Sequence, residues 1–131
     1  CLLVRRRAIE EVGPLDEAFF MYSEELDWCR RMKQAGWKVV YLPEARVIHH
    51  YAKSSSQDLP HQHIWFQDSK CRYFAKHHGR LASATLRTFL WLTYLFRLGQ
   101  EATKYLLGHK RALRRQRLGL LWRVLRSGLR A

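Results

Sequence analysis

Between residues 61 and 129 the sequence reads as helix, broken where Gly79 and Gly108 fall, and this run most constrains what the chain can build. The spacing predicts helices over about 61–78, 82–107 and 110–129. The middle one holds the most apolar stretch, residues 86–98, with Phe89-Leu90-Trp91-Leu92 and Tyr94-Leu95-Phe96 bracketed by Arg87 and Arg97. A bilayer span needs about 20 apolar residues, so this stretch is expected to be a buried or interfacial helix. The last one places Leu113, Leu118, Leu121, Trp122 and Leu125 near one face, with Arg111, Arg114, Arg115, Arg117, Arg123 and Arg126 largely around it. That is the make-up of a basic amphipathic helix lying on an anionic membrane.

Charge divides the chain at the same place. Residues 1–69 hold 9 Lys and Arg against 10 Asp and Glu, whereas residues 70–131 hold 15 against the single acid Glu101, for a total of +13. The second segment should therefore seek a polyanionic surface. Three cysteines, Cys1, Cys29 and Cys71, are far apart and odd in number. That argues against a disulfide framework or a zinc site and for a reducing cytoplasm.

The amino-terminal segment alternates short strand-like and helical pieces. Cys1-Leu2-Leu3-Val4 reads as a strand already under way, with neither initiator Met nor signal peptide, as in a piece of a longer protein. A short helix is expected over 6–12, stopped by Gly13-Pro14. After an apolar loop ending in Phe19-Phe20-Met21-Tyr22, Ser23 is a natural N-cap for a second helix. Leu26, Cys29 and Met32 would form its buried stripe and Gly36 its end. Residues 37–42 and 46–50 are β-rich, and Ser54-Ser55-Ser56 marks a polar loop.

The second helix opens on Glu24, Glu25 and Asp27, three carboxylates within four residues. Carboxylates at this position stabilise a helix by about 0.3–1 kcal/mol each through its dipole, and spacing alone points no further. The apolar loop before them must be packed, however, and a packed loop presents a carboxylate rigidly, as a general base requires.

Two runs carry a resemblance. Val12-Gly13-Pro14-Leu15-Asp16-Glu17-Ala18-Phe19-Phe20-Met21-Tyr22-Ser23-Glu24-Glu25-Leu26-Asp27-Trp28-Cys29-Arg30-Arg31 resembles the signature of family 2 glycosyltransferases. Ala35-Gly36-Trp37-Lys38-Val39-Val40-Tyr41-Leu42-Pro43-Glu44-Ala45-Arg46-Val47-Ile48-His49-His50 does so as well. Within that family the chain is most similar to bacterial rhamnosyltransferase-like members that build cell-surface polysaccharides. The match covers about residues 1–56, read as the C-terminal, acceptor-side part of a catalytic domain. Residues 57–131 carry no recognisable motif and are read as a helical, basic, membrane-associated extension.

The resemblance implies an α/β, Rossmann-like GT-A fold and a single displacement that inverts the anomeric centre. The second acid of the family's Glu-Asp pair removes the acceptor proton. It falls on Glu25, with Glu in place of the commoner Asp. Glu24 is then the first acid of that pair, and Asp27 and Arg30 match further motif positions in supporting roles. Asp27 either orients the acceptor or pairs with Arg30 or Arg31 along the helix. Tyr22, Trp28 and Arg30, with Lys53, Ser54 and Ser55 on the polar loop, are the candidate substrate-binding residues, although that loop reads equally as plainly solvated. A family histidine completing a divalent-metal site (Mg2+ or Mn2+) falls on His49, with His50 as the alternative, since adjacent strand residues point to opposite faces.

No Asp-x-Asp and no Gly-rich phosphate loop occurs in the chain. The nucleotide half and most of the metal site are therefore expected upstream, and the chain alone is expected to bind donor poorly and turn over little. The expected partners are a nucleoside-diphosphate sugar, a glycan or lipid-linked acceptor, and the inner face of a bacterial membrane. The alternative readings are a basic nucleic-acid-binding module, which explains the charge but not the acidic aromatic first half, and a non-catalytic membrane-surface module.

Overall fold

The computed structural model describes residues 1–48 and 59–130. They form four helices: α1 (Arg6–Val12), α2 (Glu24–Gln34), α3 (Leu59–Leu106) and α4 (Arg111–Arg126). The helix expected over 6–12 is present, and the three expected between 61 and 129 appear with two of them joined. Among the described residues there is no strand. The segments 2–4, 37–42 and 46–48, expected as strands, form no ladder, and His49 and His50 lie outside the described residues. A strand needs a neighbour to satisfy its backbone. Among the described residues these segments have no strand partner, and side chains such as Leu3 and Val40 stand 97% and 75% exposed.

Gly79 turns α3 back on itself. At φ 88° and ψ 163° it occupies a region open to glycine alone. Contacts between the two limbs run in antiparallel order. Ser83 Oγ donates to the Cys71 carbonyl at 2.7 Å, Arg87 reaches Asp68 at 3.1 Å, and Tyr94 meets His63 at 3.0 Å and Gln67 at 3.3 Å. Then α4 runs back along the second limb. Arg114 binds Glu101 at 2.8 Å, Trp91 Nε1 donates to the Leu125 carbonyl at 3.3 Å, and Arg87 donates to the Gly128 carbonyl. The result is a three-stroke antiparallel bundle whose core is Ile64, Tyr94, Leu121, Val124, Leu125 and Leu129, with Leu90, Leu98 and Leu120 against it.

That core corrects one expectation. Leu121 and Leu125 of α4 are buried within the bundle, so the apolar face of α4 is not free to lie on a membrane; only Leu113 and Trp122 of the predicted stripe are exposed. The predicted buried stripe of α2 is corrected too, since Met32 is buried but Leu26 is 56% exposed. Ser23 is not a side-chain N-cap: it sits in the left-handed region at φ 68°, without a side-chain cap hydrogen bond. The end of α2 is as expected. Gly36, at φ 87°, donates to the Lys33 carbonyl and Trp37 to that of Met32, a paired closure that uses up two orphan carbonyls.

Candidate active site and its relatives

The acidic turn sits at the junction of α2 with the first limb of α3, and the chain enters it under strain. Tyr22 and Ser23 both have φ of 68°, a conformation that costs non-glycine residues on the order of 1–3 kcal/mol each and persists only where the surroundings enforce it. Here α3 enforces it. Ser69 Oγ donates to the Met21 carbonyl at 2.6 Å, the Tyr22 ring meets Phe66 edge-on at 5.4 Å, and Phe20 leans on Trp65 at 5.1 Å. Phe19 is buried, whereas Phe20 keeps its outer face in solvent.

Below the strained residues lies Asp27, whose side chain is completely buried. Arg31 Nε donates to it at 2.8 Å, Lys76 Nζ at 2.8 Å, and His77 Nε2 lies 2.7 Å away. A carboxylate accepts only, so the His77 proton belongs on Nε2. Burial on its own would push the Asp27 carboxyl up, but hydrogen bonds from Lys76, His77 and Arg31 outweigh it and hold the group below its ordinary value. Burial likewise works to lower Lys76, yet Asp16, 2.6 Å away, and Asp27 raise it above the usual lysine range. The Lys76 ammonium, in turn, lowers Asp16.

The rest of the motif braces this turn. Arg31 donates to the Val12 carbonyl at 2.9 Å and to that of Pro14 at 2.6 Å. Its planar fork thereby fastens Asp27 and the 12–14 turn together. Trp28 Nε1 donates to the Gly13 carbonyl at 2.8 Å, and Trp37 Nε1 to Glu11 at 3.2 Å. Residues three apart on α2 thus hold the same turn, which accounts physically for the spacing of Gly13, Trp28 and Arg31.

The expected site residues fall into distinct settings. Glu25 is exposed on the first turn of α2 and makes no hydrogen bond or ion pair among the described residues. Glu24 is half-buried, with Oε2 enclosed and unpartnered among the described residues. Asp27 takes the pairing alternative, with Arg31 rather than Arg30. Arg30 instead reaches the Tyr73 hydroxyl at 3.3 Å and His78 at 3.1 Å. Tyr22 and Trp28 are packed as described above. His49, His50, Lys53, Ser54 and Ser55 lie outside the described residues. Among the described residues, no group of three or more His, Cys, Asp or Glu side chains could hold a metal ion.

Lys76 and His77 were not legible as partners of Asp27. They lie about 50 positions away in a stretch without a motif. The available signal was periodic: Phe66, Ser69, Tyr73 and Lys76 recur every three or four residues, and together they form the face of α3 turned to α2.

About half of the chain is similar to known proteins. A Mycobacterium tuberculosis N-acetylglucosaminyl-diphospho-decaprenol L-rhamnosyltransferase is 50% identical over 64 residues, covering 49% of this chain and 20% of that protein. Rhamnosyltransferase WbbL of Escherichia coli is 31% identical over 75 residues, 57% of this chain and 28% of its own length. The chain resembles the C-terminal portion of a rhamnosyltransferase-like glycosyltransferase. O-antigen biosynthesis protein RfbC of Myxococcus xanthus is 30% identical over 66 residues, 50% of this chain and 5% of that protein. The chain thus spans about a fifth of the tuberculosis rhamnosyltransferase. No protein-family model matches it, and no solved structure does.

Proposed function

We propose that the chain is the acceptor side of an inverting, family 2 glycosyltransferase of GT-A fold, and that Glu25 is its catalytic base. Its donor would be a nucleoside-diphosphate sugar such as a rhamnosyl nucleotide. The acceptor would be a cell-surface glycan precursor on a lipid carrier, in keeping with the diphospho-decaprenol named in the tuberculosis relatives. Glu25 takes the proton of the acceptor hydroxyl as that oxygen attacks the anomeric carbon. The sugar–phosphate bond breaks on the opposite side, and the nucleoside diphosphate leaves with the bonding electrons.

One observation carries the assignment. Of the three acids in the turn, Asp27 is consumed by cations and Glu24 is half enclosed, while Glu25 is exposed and without a partner among the described residues. A base must reach its substrate, and only Glu25 is free to do so. Tyr22, Trp28 and Arg30 would border the acceptor; Lys53, Ser54 and Ser55 would approach the diphosphate, and His49 a Mg2+ or Mn2+ ion held mainly by residues upstream. The unpaired segments 2–4 and 37–42 suit this reading. Residues 2–4 and 37–40, with Ala8, Cys29 and Met32, line an open cleft of about 500 Å3, where further strands from upstream would find partners. The enzyme would work at the inner face of the bacterial membrane, as a peripheral protein.

The test is sugar transfer by the full-length enzyme and its Glu25→Gln variant. Transfer should fall by at least about a thousandfold, with donor affinity preserved. Undiminished turnover in the variant would remove Glu25 from the chemistry.

A further inference from the structure

The second limb of α3 is built inside out. Tyr94, Leu90 and Leu98 face the bundle core, and the charges turn the same way: Arg87 reaches Asp68, and Glu101 is taken by Arg114. Half a helical turn round, the 3.6-residue period collects Leu81, Phe89, Leu92, Phe96 and Leu107, with threonines between. All five are exposed, Phe89 at 65% and Phe96 at 67%. The charged residues between 81 and 107 are Arg87, Arg97, Glu101 and Lys104, and helical spacing puts none of them on this outer face. A bundle helix that meets water carries the opposite pattern, apolar inward and charged outward.

The face runs about 40 Å at 1.5 Å per residue, and its surroundings indicate what covers it. Among the described residues no helix is long and apolar enough to cross a membrane. Exposed Trp91 and Trp122 belong to the same pair of antiparallel segments, and indole side chains favour the headgroup boundary. Arg97 and Lys104 are exposed on one flank, and Arg115, Arg117 and Arg123 on α4. Residues 70–131 carry 15 cationic side chains against Glu101 alone. Arg114, Lys104 and Arg117 share Glu101, and Arg72, Arg87 and Lys76 pair with Asp68, Asp16 and Asp27, which leaves the excess of positive charge on side chains such as Arg97, Arg115 and Arg123. Apolar surface rimmed by net positive charge complements an anionic lipid surface.

We propose that this outer face, centred on Phe89, Leu92 and Phe96, is an in-plane docking surface for an anionic bilayer. The inference rests on the peripheral placement given above and names the surface responsible. The apolar face of α4 is spent in the core, so the outer face of α3 takes the place the basic amphipathic helix was expected to fill. The docked limb lies along the boundary, with its phenylalanines in the acyl edge and the arginines at the phosphates.

The full 131-residue chain is floated with phosphatidylcholine vesicles, with and without phosphatidylglycerol. It should partition onto the mixed vesicles. A combined Phe89→Ser, Leu92→Ser and Phe96→Ser variant should bind them at least roughly a hundredfold more weakly. Its helicity and melting should match the parent, because the replaced side chains are already exposed. Equal flotation of the variant would show attachment by charge alone and overturn the proposal. So would a parent that ignores vesicles but self-associates in equilibrium sedimentation through the same three residues. In the full-length enzyme the variant should still glycosylate a water-soluble acceptor analogue but lose transfer to a vesicle-borne one. Equal loss on both acceptors would also count against the docking surface. Persistent vesicle binding by a full-length protein that transfers to neither would instead sink the glycosyltransferase reading and leave the docking surface standing.

Discussion

The bundle made by α3 and α4 closes its own core, whereas the segments around α1 and α2 leave theirs open. Val124 and Leu129 are wholly buried by helices of the same chain, while Leu3, Val40 and Ile48 are exposed. Both halves have similar raw material in apolar side chains. They differ in how the backbone is satisfied. A helix closes its hydrogen bonds internally and needs only side-chain packing, but a strand-forming segment needs a second segment beside it. The contrast explains why, among the described residues, one half packs a core and the other leaves its apolar side chains exposed. Asp27 is the joint between them, since its cations come from α2 and from α3.

Placing a charge in each half is the most forceful way to break this comparison. Val124→Asp buries an unpaired carboxylate and should cost about 3–5 kcal/mol in urea unfolding followed by circular dichroism. Leu3→Asp should change the same transition by less than about 0.5 kcal/mol. Equal effects would mean that the halves are not differently closed. Next in size is the joint itself. Asp27→Ala leaves Arg31 without its anion and Lys76 with Asp16 alone, and should cost about 3 kcal/mol, below the extreme for a buried pair because both cations are partly exposed. Gly79→Ala meets no steric obstacle but is forced to φ 88°, for a loss of about 1–2 kcal/mol in the same experiment.

The smallest effect is the pH dependence. Asp16 and Asp27 are held below the ordinary carboxylate value of 3.8 in the folded chain. The unfolded state therefore binds more protons, and their contribution is complete above 3.8 and lost as the pH falls through the lower folded values. Lys76 is raised above 10.5, so its contribution is complete below that value and fades as the pH climbs through the folded one. Denaturant midpoints for the parent should decline at both extremes, and Lys76→Met should flatten both declines.

Much of the helical framework was legible, because Gly36, Gly79 and Gly108 punctuate the apolar periodicity where the backbone needs positive φ. The same periodicity did not say which face of the second limb of α3 would be covered, and it left α4 looking free when its leucines seal the core. For the acidic turn, Glu24, Glu25 and Asp27 could be identified as a group from their positions. Their separate fates could not, since burial of Asp27 depends on Lys76 and His77 arriving from about 50 residues away. The segments 2–4 and 37–42 carry genuine strand signals, but whether a strand forms depends on its neighbour.

That division within one turn, chemistry at Glu25 and architecture at Asp27, is tested most directly by a paired measurement. Full-length enzyme carrying Glu25→Gln or Asp27→Asn is assayed for sugar transfer and for its unfolding midpoint. The first variant should lose transfer by at least about a thousandfold with an unchanged midpoint, and the second should unfold measurably earlier. An active Glu25→Gln enzyme beside a stable but inactive Asp27→Asn enzyme would contradict the account.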